Sequence, residues 1–447
     1  MTGPFTHVEP VQDLDVNECI THAESLAEIM KRLDHSDKRV RPPNHSVGEV
    51  MTCLIIGACA GRPTQKGAIA FCEHHIDQLR QYLPLPHGVP SRSTVCRVLK
   101  MVDDEDFAFL FNEWATTLIH TTNTVIVSDG KGARASAKKN QSERTPYVLN
   151  AIEEASKLVV NVLPVGEKEN EKVVFHSMLD MINVSGSYIY ADAMATDQNI
   201  MNHIIDREGN FVFQVKKNNP LMYDQLLTGF DLLQTEYALS LKEPSVALTM
   251  DSALESYSHY YSHERNGGRH EHRECWATND AESMIGQSTH VCGLVRTTGW
   301  VEQVRILEVI DDNGNDITPS RKEFIANGSP RQPRPTAGDR SSDPIQRVGV
   351  IASTVMNAQE LLNRKRSYWN IENGMHYILD NTLQEDRYHY HVNRFSMAVI
   401  RRFAYNVLRL MNTRECPKDS VSGTAELFCD VFEYVPKYIF SGIQVVA

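Results

Sequence analysis

Residues 187–216 read SYIYADAMATDQNIMNHIIDREGNFVFQVK. The β-branched and aromatic run SYIYAD closes on Asp192, a helical pattern follows near 195–206, and NFVFQVK (210–216) is a second run of the first kind. Strand, helix and strand in close succession are the unit of an α/β sheet, whose ligands sit outside the strand ends. Upstream, TVIVSD (124–129) reads as a buried strand ending on Asp129. YVLNAIEEASKLVVNVLPVG (147–166) reads as the two strands of a hairpin, with a helix over roughly 170–182. Small residues, Gly130 and Ala193, follow the two aspartates and leave room for a ligand. The expectation is a mixed sheet with an aspartate at the end of each of two strands.

A third carboxylate has an unusual setting. Residues 366–386 read RSYWNIENGMHYILDNTLQED. On a helical wheel at about 100° per residue, Tyr368, Ile371, Met375, Ile378, Leu379 and Leu383 share an arc of roughly 140°. Glu372 falls inside that arc, between Leu379 and Leu383. An ionised carboxylate is costly to bury unless it is paired or binds a metal. An ion pair with an arginine is the commoner solution for a single glutamate. A metal ligand on a rigid helix requires partners of the same character, and Asp129 and Asp192 supply them. Three hard oxygen donors suit Mg²⁺ and leave positions open for phosphate oxygens and water. Two such ions can stabilise the attacking and leaving oxygens of a phosphodiester.

The chain has 447 residues and a net charge of −12, which argues against a protein that coats nucleic acid at large. Its cations are concentrated locally. Residues 129–144 hold Lys131, Arg134, Lys138, Lys139 and Arg144 against Asp129 and Glu143, a local charge of +3. Lys216 and Lys217 follow the strand at 210–216, Arg364, Lys365 and Arg366 precede Glu372, and Arg401 and Arg402 lie on the last helix. A groove that tracks a DNA backbone needs cations around the site, not over the whole surface; solvated surface charge is the alternative. No apolar stretch is long enough for a membrane span, the N-terminus lacks a signal peptide's pattern, and nine scattered cysteines suggest reduced thiols in the cytosol.

Residues 1–120 read as helical, with helices near 15–34, 46–61 and 64–83. Ser46 and Ser93 are candidate caps. Arg92, Arg97 and Lys100 flank a short helix that fits either a recognition helix or a plain surface helix. Residues 218–310 read as strand-rich and irregular, 311–345 as a long mobile loop, and helices resume near 351–366, 367–383 and 391–412. The tail after Cys416 has no clear pattern. In GGRHEHRECW, His270, His272 and Glu274 alternate onto one strand face at a spacing that suits zinc. Arg269 and Arg273 take the other face, where contact with DNA phosphates is the stronger reading. His376, one turn after Glu372, is a candidate to orient it, and Tyr368 and Trp369 are candidates to stack on a base or to pack in the core. Phosphate-cradling glycine loops and nucleophile elbows are absent.

These residues carry a family resemblance over about 46–412. The chain resembles the H-repeat-associated (ISAs-type) insertion-sequence transposases of the DDE superfamily. The resemblance rests on SDGKGAR, MLDMINVSGSYIYADAM, VKKNNP, GRHEHR and above all WNIENGMHYILDNTLQED. The chain departs from the family pattern at Gln198, Asn219 and Gly267, none of them a carboxylate. The resemblance implies a catalytic and metal-binding triad of Asp129, Asp192 and Glu372, with two Mg²⁺ (or Mn²⁺) ions, in an α/β, RNase H-like mixed-sheet core. It implies a helical N-terminal domain (1–120), a first core segment (121–217), a strand-rich insertion (218–350), a helical second core segment (351–415) and a tail (416–447). It further implies cleavage and strand transfer on double-stranded DNA by a homodimer in the cytoplasm, at the nucleoid. Lys131, Arg134, Lys138, Lys139, Lys216, Arg269, Arg273, Arg364 and Arg366 would hold DNA, with Trp369, Asn373 and His376 in support. Two rivals stand beside it: a retained, non-mobile DNA-binding protein and a phosphoesterase acting on small substrates.

Overall fold

The computed structural model describes residues 24–132, 147–166, 171–240, 257–265, 268–286, 292–311, 316–326, 345–387 and 394–442. The chain forms two compact units, Met1–Ser185 with Asn370–Ala447, and Gly186–Trp369.

The first unit opens with helices α1 (Leu26–Lys31), α2 (Val47–Cys59), α3 (Gln65–His74), α4 (Ile76–Leu79), α5 (Arg92–Leu99) and α6 (Asp104–Leu118). Each of the longer ones starts where a side chain can take up an orphan amide. Ser46 accepts from Glu49, Thr64 from Gly67, and Asp103 from Glu105 and Asp106. Ser91, not Ser93, caps α5, whose Arg92, Arg97 and Lys100 are exposed. Every residue of α2 except Glu49 is buried. At Gly57 a Cβ would lie 2.3 Å from the Cα of Ala68, so only glycine allows α3 to cross this closely.

Strands β1 (Val125–Gly132), β2 (Tyr147–Glu153) and β3 (Val159–Val165) follow as an antiparallel set, then α7 (Glu171–Met181). β1 runs through Asp129 and on to Gly132, three residues beyond the end expected for it; the pairing with β2 continues and places Asp129 opposite Asn150. β3 has β2 on one side only. Two buried asparagines satisfy backbone groups of β3: Asn112 bonds the Val162 carbonyl (3.1 Å) and amide (2.7 Å), and Asn406 the Val159 carbonyl (2.8 Å) and amide (2.9 Å).

The second unit contains β4 (Tyr188–Ala191), α8 (Gln198–Asp206), β5 (Asn210–Val215), α9 (Pro220–Ser240), β6 (Tyr257–Arg265), β7 (Arg269–Thr278), α10 (Ala281–Ile285), β8 (Thr297–Leu307), α11 (Arg321–Ala326) and β9 (Ile345–Ala352). Its strands lie in the order β4-β5-β9-β8-β7-β6, with β4 and β5 parallel and every other pair antiparallel, the mixed sheet expected. Three expectations are corrected here. The segment after 218 opens with the long helix α9, which has Pro220 at its first position and buries Leu226, Phe230 and Leu233 at helical spacing. The stretch read as a mobile loop contains α11, whose Phe324 is buried against Val304 and Ile306; residues 312–315 and 327–344 lie outside the described residues. The strand β9 extends to Ala352, where a helix was expected to begin; the helix α12 spans Ala358–Asn370.

The chain then passes through a π-helical segment, Ile371–His376, and returns to the first unit with α13 (Tyr377–Asn381), α14 (Arg394–Glu415) and α15 (Val421–Asp430). The tail is therefore ordered through α15. Asn412 ties it down by bonding the carbonyls of Cys416 and Asp419 and the hydroxyl of Thr424, at 3.0, 3.0 and 2.9 Å. No helix among the described residues is long and apolar enough to cross a membrane.

Candidate active site

In the first unit, Asp129 stands within β1 with its side chain 17% exposed and its Oδ2 3.7 Å from Nδ1 of His376. Burial, with Lys131 and Arg402 nearby, pushes His376 down to about 3. The ring is therefore neutral at ordinary pH, and its contact with Asp129 is one of position, not of opposite charges. Below it, Asn150 donates to the Asp129 carbonyl at 3.4 Å and accepts from Arg402 Nε at 3.0 Å. Arg402 also binds Glu385. Burial would raise the Glu385 carboxyl, but Arg402, Arg401 and Lys131 outweigh that and hold it low.

Several cations expected around the site are structural instead. Arg401 and Arg402 are buried and donate to the carbonyls of Leu383, Met397 and Ala398. Lys131 is buried and paired with Asp380 at 2.8 Å, so its ammonium is committed inside the unit. Gly130 does not open a space for a ligand. A Cβ there would come within 1.8 Å of the Tyr147 hydroxyl, so the tyrosine ring occupies that room.

Glu372 departs from the helical wheel. All six apolar members of the arc are buried, as the periodicity requires, but Glu372 is exposed. The cause is the π-helical turn over Ile371–His376. Its wider hydrogen-bond spacing adds residues per turn and shifts the register between Tyr368 and Ile378. The carboxylate is thereby lifted from the apolar face without loss of a buried neighbour. The side chains of Trp369 and Asn373 lie outside what the structure describes.

In the second unit, Asp192 follows β4 and Lys216 follows β5, the parallel neighbours, so both leave the sheet at the same end. Lys216 Nζ donates to Asp192 Oδ1 at 2.6 Å, and the two side chains are 47% and 40% exposed. Arg364 lies over the Tyr188 ring at 4.8 Å. Arg269 and Arg273 take one face of β7, as the alternation predicts, but that face is an ion-pair network. Arg269 pairs with Glu271 at 2.8 Å, Arg273 with Glu271 and with Glu264 at 3.0 Å, and Arg366 with Glu264 at 2.7 Å. These guanidiniums already have carboxylate partners, which weakens the reading that they grip phosphates. Arg134, Lys138 and Lys139 lie outside the described residues.

The opposite face of β7 carries His270, His272 and Glu274. Glu274 is drawn off the set: it bonds His259 (2.8 Å) and Arg321 (2.5 Å), and these hold it at about 2 despite its burial. The residue that sequence reading missed is His263, which the β6–β7 pairing places directly opposite His272. The signal for it was the turn-favouring Asn-Gly-Gly in SHERNGGRHEH, set between two histidine-bearing segments.

Comparison with known proteins agrees with the residues that carried the resemblance. The family model described as "Transposase DDE domain" matches residues 116–407, and "DDE_Tnp_1-associated" matches 30–115. The "H repeat-associated putative transposase YhhI" of Escherichia coli (strain K12) is 23% identical over 345 residues, 76% of this chain and 79% of that protein. The "H repeat-associated putative transposase YbfD" of the same organism is 27% identical over 176 residues, 39% of this chain and 69% of that protein. Among solved structures, a piggyBac transposase synaptic complex with hairpin DNA aligns over 93% of this chain and 77% of that one, at 10% identity. Its TM-score of 0.42 is too low to carry an argument about the fold. Two family models end to end, one of them over most of the chain, settle the matter: this protein belongs to the DDE transposase family.

Proposed function

We propose that the chain is an active DNA transposase with an RNase H-like core, in which Asp129, Asp192 and Glu372 together hold Mg²⁺ or Mn²⁺, two ions in all. The observation that carries the reading is the π-helical turn that presents Glu372 to solvent from a helix whose apolar face is otherwise intact. Turns of this kind are rare and recur at functional sites. The donor set fits the ions: three carboxylates, hard oxygen ligands each open at least in part to solvent. When bound, such ions activate water and stabilise charge on a phosphodiester.

The chain's own residues do the rest. Neutral His376 packs against Asp129 and fixes its direction without competing for its charge. Lys216 holds Asp192 in place through an exposed pair, which is weak in water and can yield to a divalent cation. Lys216, Arg364 and the segment with Arg134, Lys138 and Lys139 are the cations left to track the DNA backbone, with cleavage of the element's end followed by attack of the freed 3′-hydroxyl on target DNA. The protein acts as a homodimer on DNA.

The test is Mg²⁺-dependent nicking of a duplex carrying the element's ends. Asp129→Asn, Asp192→Asn and Glu372→Gln should each cut the rate by about 10²–10³-fold, several kcal/mol of transition-state stabilisation. Unchanged nicking in Asp129→Asn and Glu372→Gln would sink the proposal. Tight duplex binding with no nicking in any metal would point instead to a retained DNA-binding protein.

A further inference from the structure

We propose that His263, His270 and His272 form a three-imidazole site for a transition-metal ion of the zinc class, a clamp that ties β6 to β7 at the edge of the second unit's sheet. The site is independent of the carboxylates described above and of the transposase reading.

Register creates the cluster. His263 on β6 stands opposite His272 on β7, and His270, two residues before His272, shares its face. One ring nitrogen from each histidine lies within 4.8 Å of one from each of the others. The His263 and His272 rings are stacked 4.4 Å apart at 4°, and His263 Nε2 is 2.8 Å from His270 Nδ1. Zinc bonds imidazole nitrogen at about 2.0–2.1 Å, which in a tetrahedron sets ligand atoms roughly 3.3 Å apart. Small rotations of rings already in place therefore close the site.

Three further observations point to a ligand. His270 Nε2 is buried with no hydrogen-bond partner, a costly state for a polar atom. Tyr261 bonds His272 Nδ1 at 2.6 Å, which leaves Nε2 as the nitrogen for a metal, in the pattern by which partners of ligating histidines set their tautomer. The nearby cations are already offset: Arg265 is bound to Glu308, and Arg321 to Glu274 and Glu302. The fourth position falls to water, because Glu308, 3.7 Å from His270 Nε2, is already held by Arg265. Imidazoles favour zinc, cobalt, nickel or copper over magnesium, so the site would not compete for the ions of the carboxylate set.

The experiment titrates Co²⁺ into the full chain, stripped with chelator and desalted, and follows the visible ligand-field bands, with Zn²⁺ then added to displace the cobalt. One equivalent should bind, and His263→Ala and His270→Ala should each weaken binding at least tenfold. His263 is exposed, so its replacement leaves the fold intact. A protein carrying Asp129→Asn, Asp192→Asn and Glu372→Gln together should bind cobalt as the native chain does. Absence of the cobalt bands, retention of them in His263→Ala, or their loss in the carboxylate variant would each overturn the proposal.

Discussion

At the scale of single residues, burial decides what a charge does. Lys365 is buried beside Cys275, and burial, with Arg273, Lys216 and Arg305 adding to it, lowers its ammonium to about 8. The unfolded chain holds that proton up to about 10.5, so between these values the unfolded state binds more protons and stability rises with pH. Lys365→Met should therefore stabilise the protein by roughly 3 kcal/mol at pH 7, with the gain cut by about half at pH 9.5; urea unfolding at the two pH values measures it. A gain that grows with pH would contradict the account. At Gly130, alanine should cost about 1 kcal/mol as Tyr147 is displaced, and Tyr147→Ala in the same chain should abolish that difference in a double-mutant cycle. Asp129, Asp192 and Glu372 could be singled out in the sequence as residue types, although β1 runs on past Asp129. The fates of Lys131, Arg401 and Arg402 were not, because a sequence records charge but not which carboxylate or carbonyl waits beside it.

At the scale of elements, local chemistry was read well wherever caps and periodicity agreed. α2 begins after Ser46 as expected, and Ser46→Ala should lose about 1 kcal/mol in equilibrium unfolding. α9 was missed since its apolar residues blend into the aromatic, β-branched segments that follow. The π-helical turn was missed because a wheel assumes one rise and one twist throughout. The open side of β3 shows an element completed from elsewhere: Asn406→Ala should cost about 2–3 kcal/mol, since it orphans a buried amide and carbonyl of Val159. Hydrogen exchange at the Val159 amide should quicken in that variant, and an unchanged rate would show that the asparagine is not what protects it.

At the scale of the whole molecule, a chain of net charge −12 can bind DNA only through local clusters. Replacing Lys138 and Lys139 with glutamine should weaken duplex binding across all sequences and reduce the slope of log K against log salt by about 2; titrations between low and moderate salt check this. Composition, β-branched runs and helical periodicity were enough to predict a mixed α/β sheet with flanking helices, since each depends on neighbours within a few turns. Pairing between strands and packing between helices set the rest. They set Arg402 beside Asn150, paired Lys131 with Asp380 and closed the open side of β3 with Asn406. Each of those outcomes rests on residues distant in sequence, and their separation in space is settled only when the chain closes on itself.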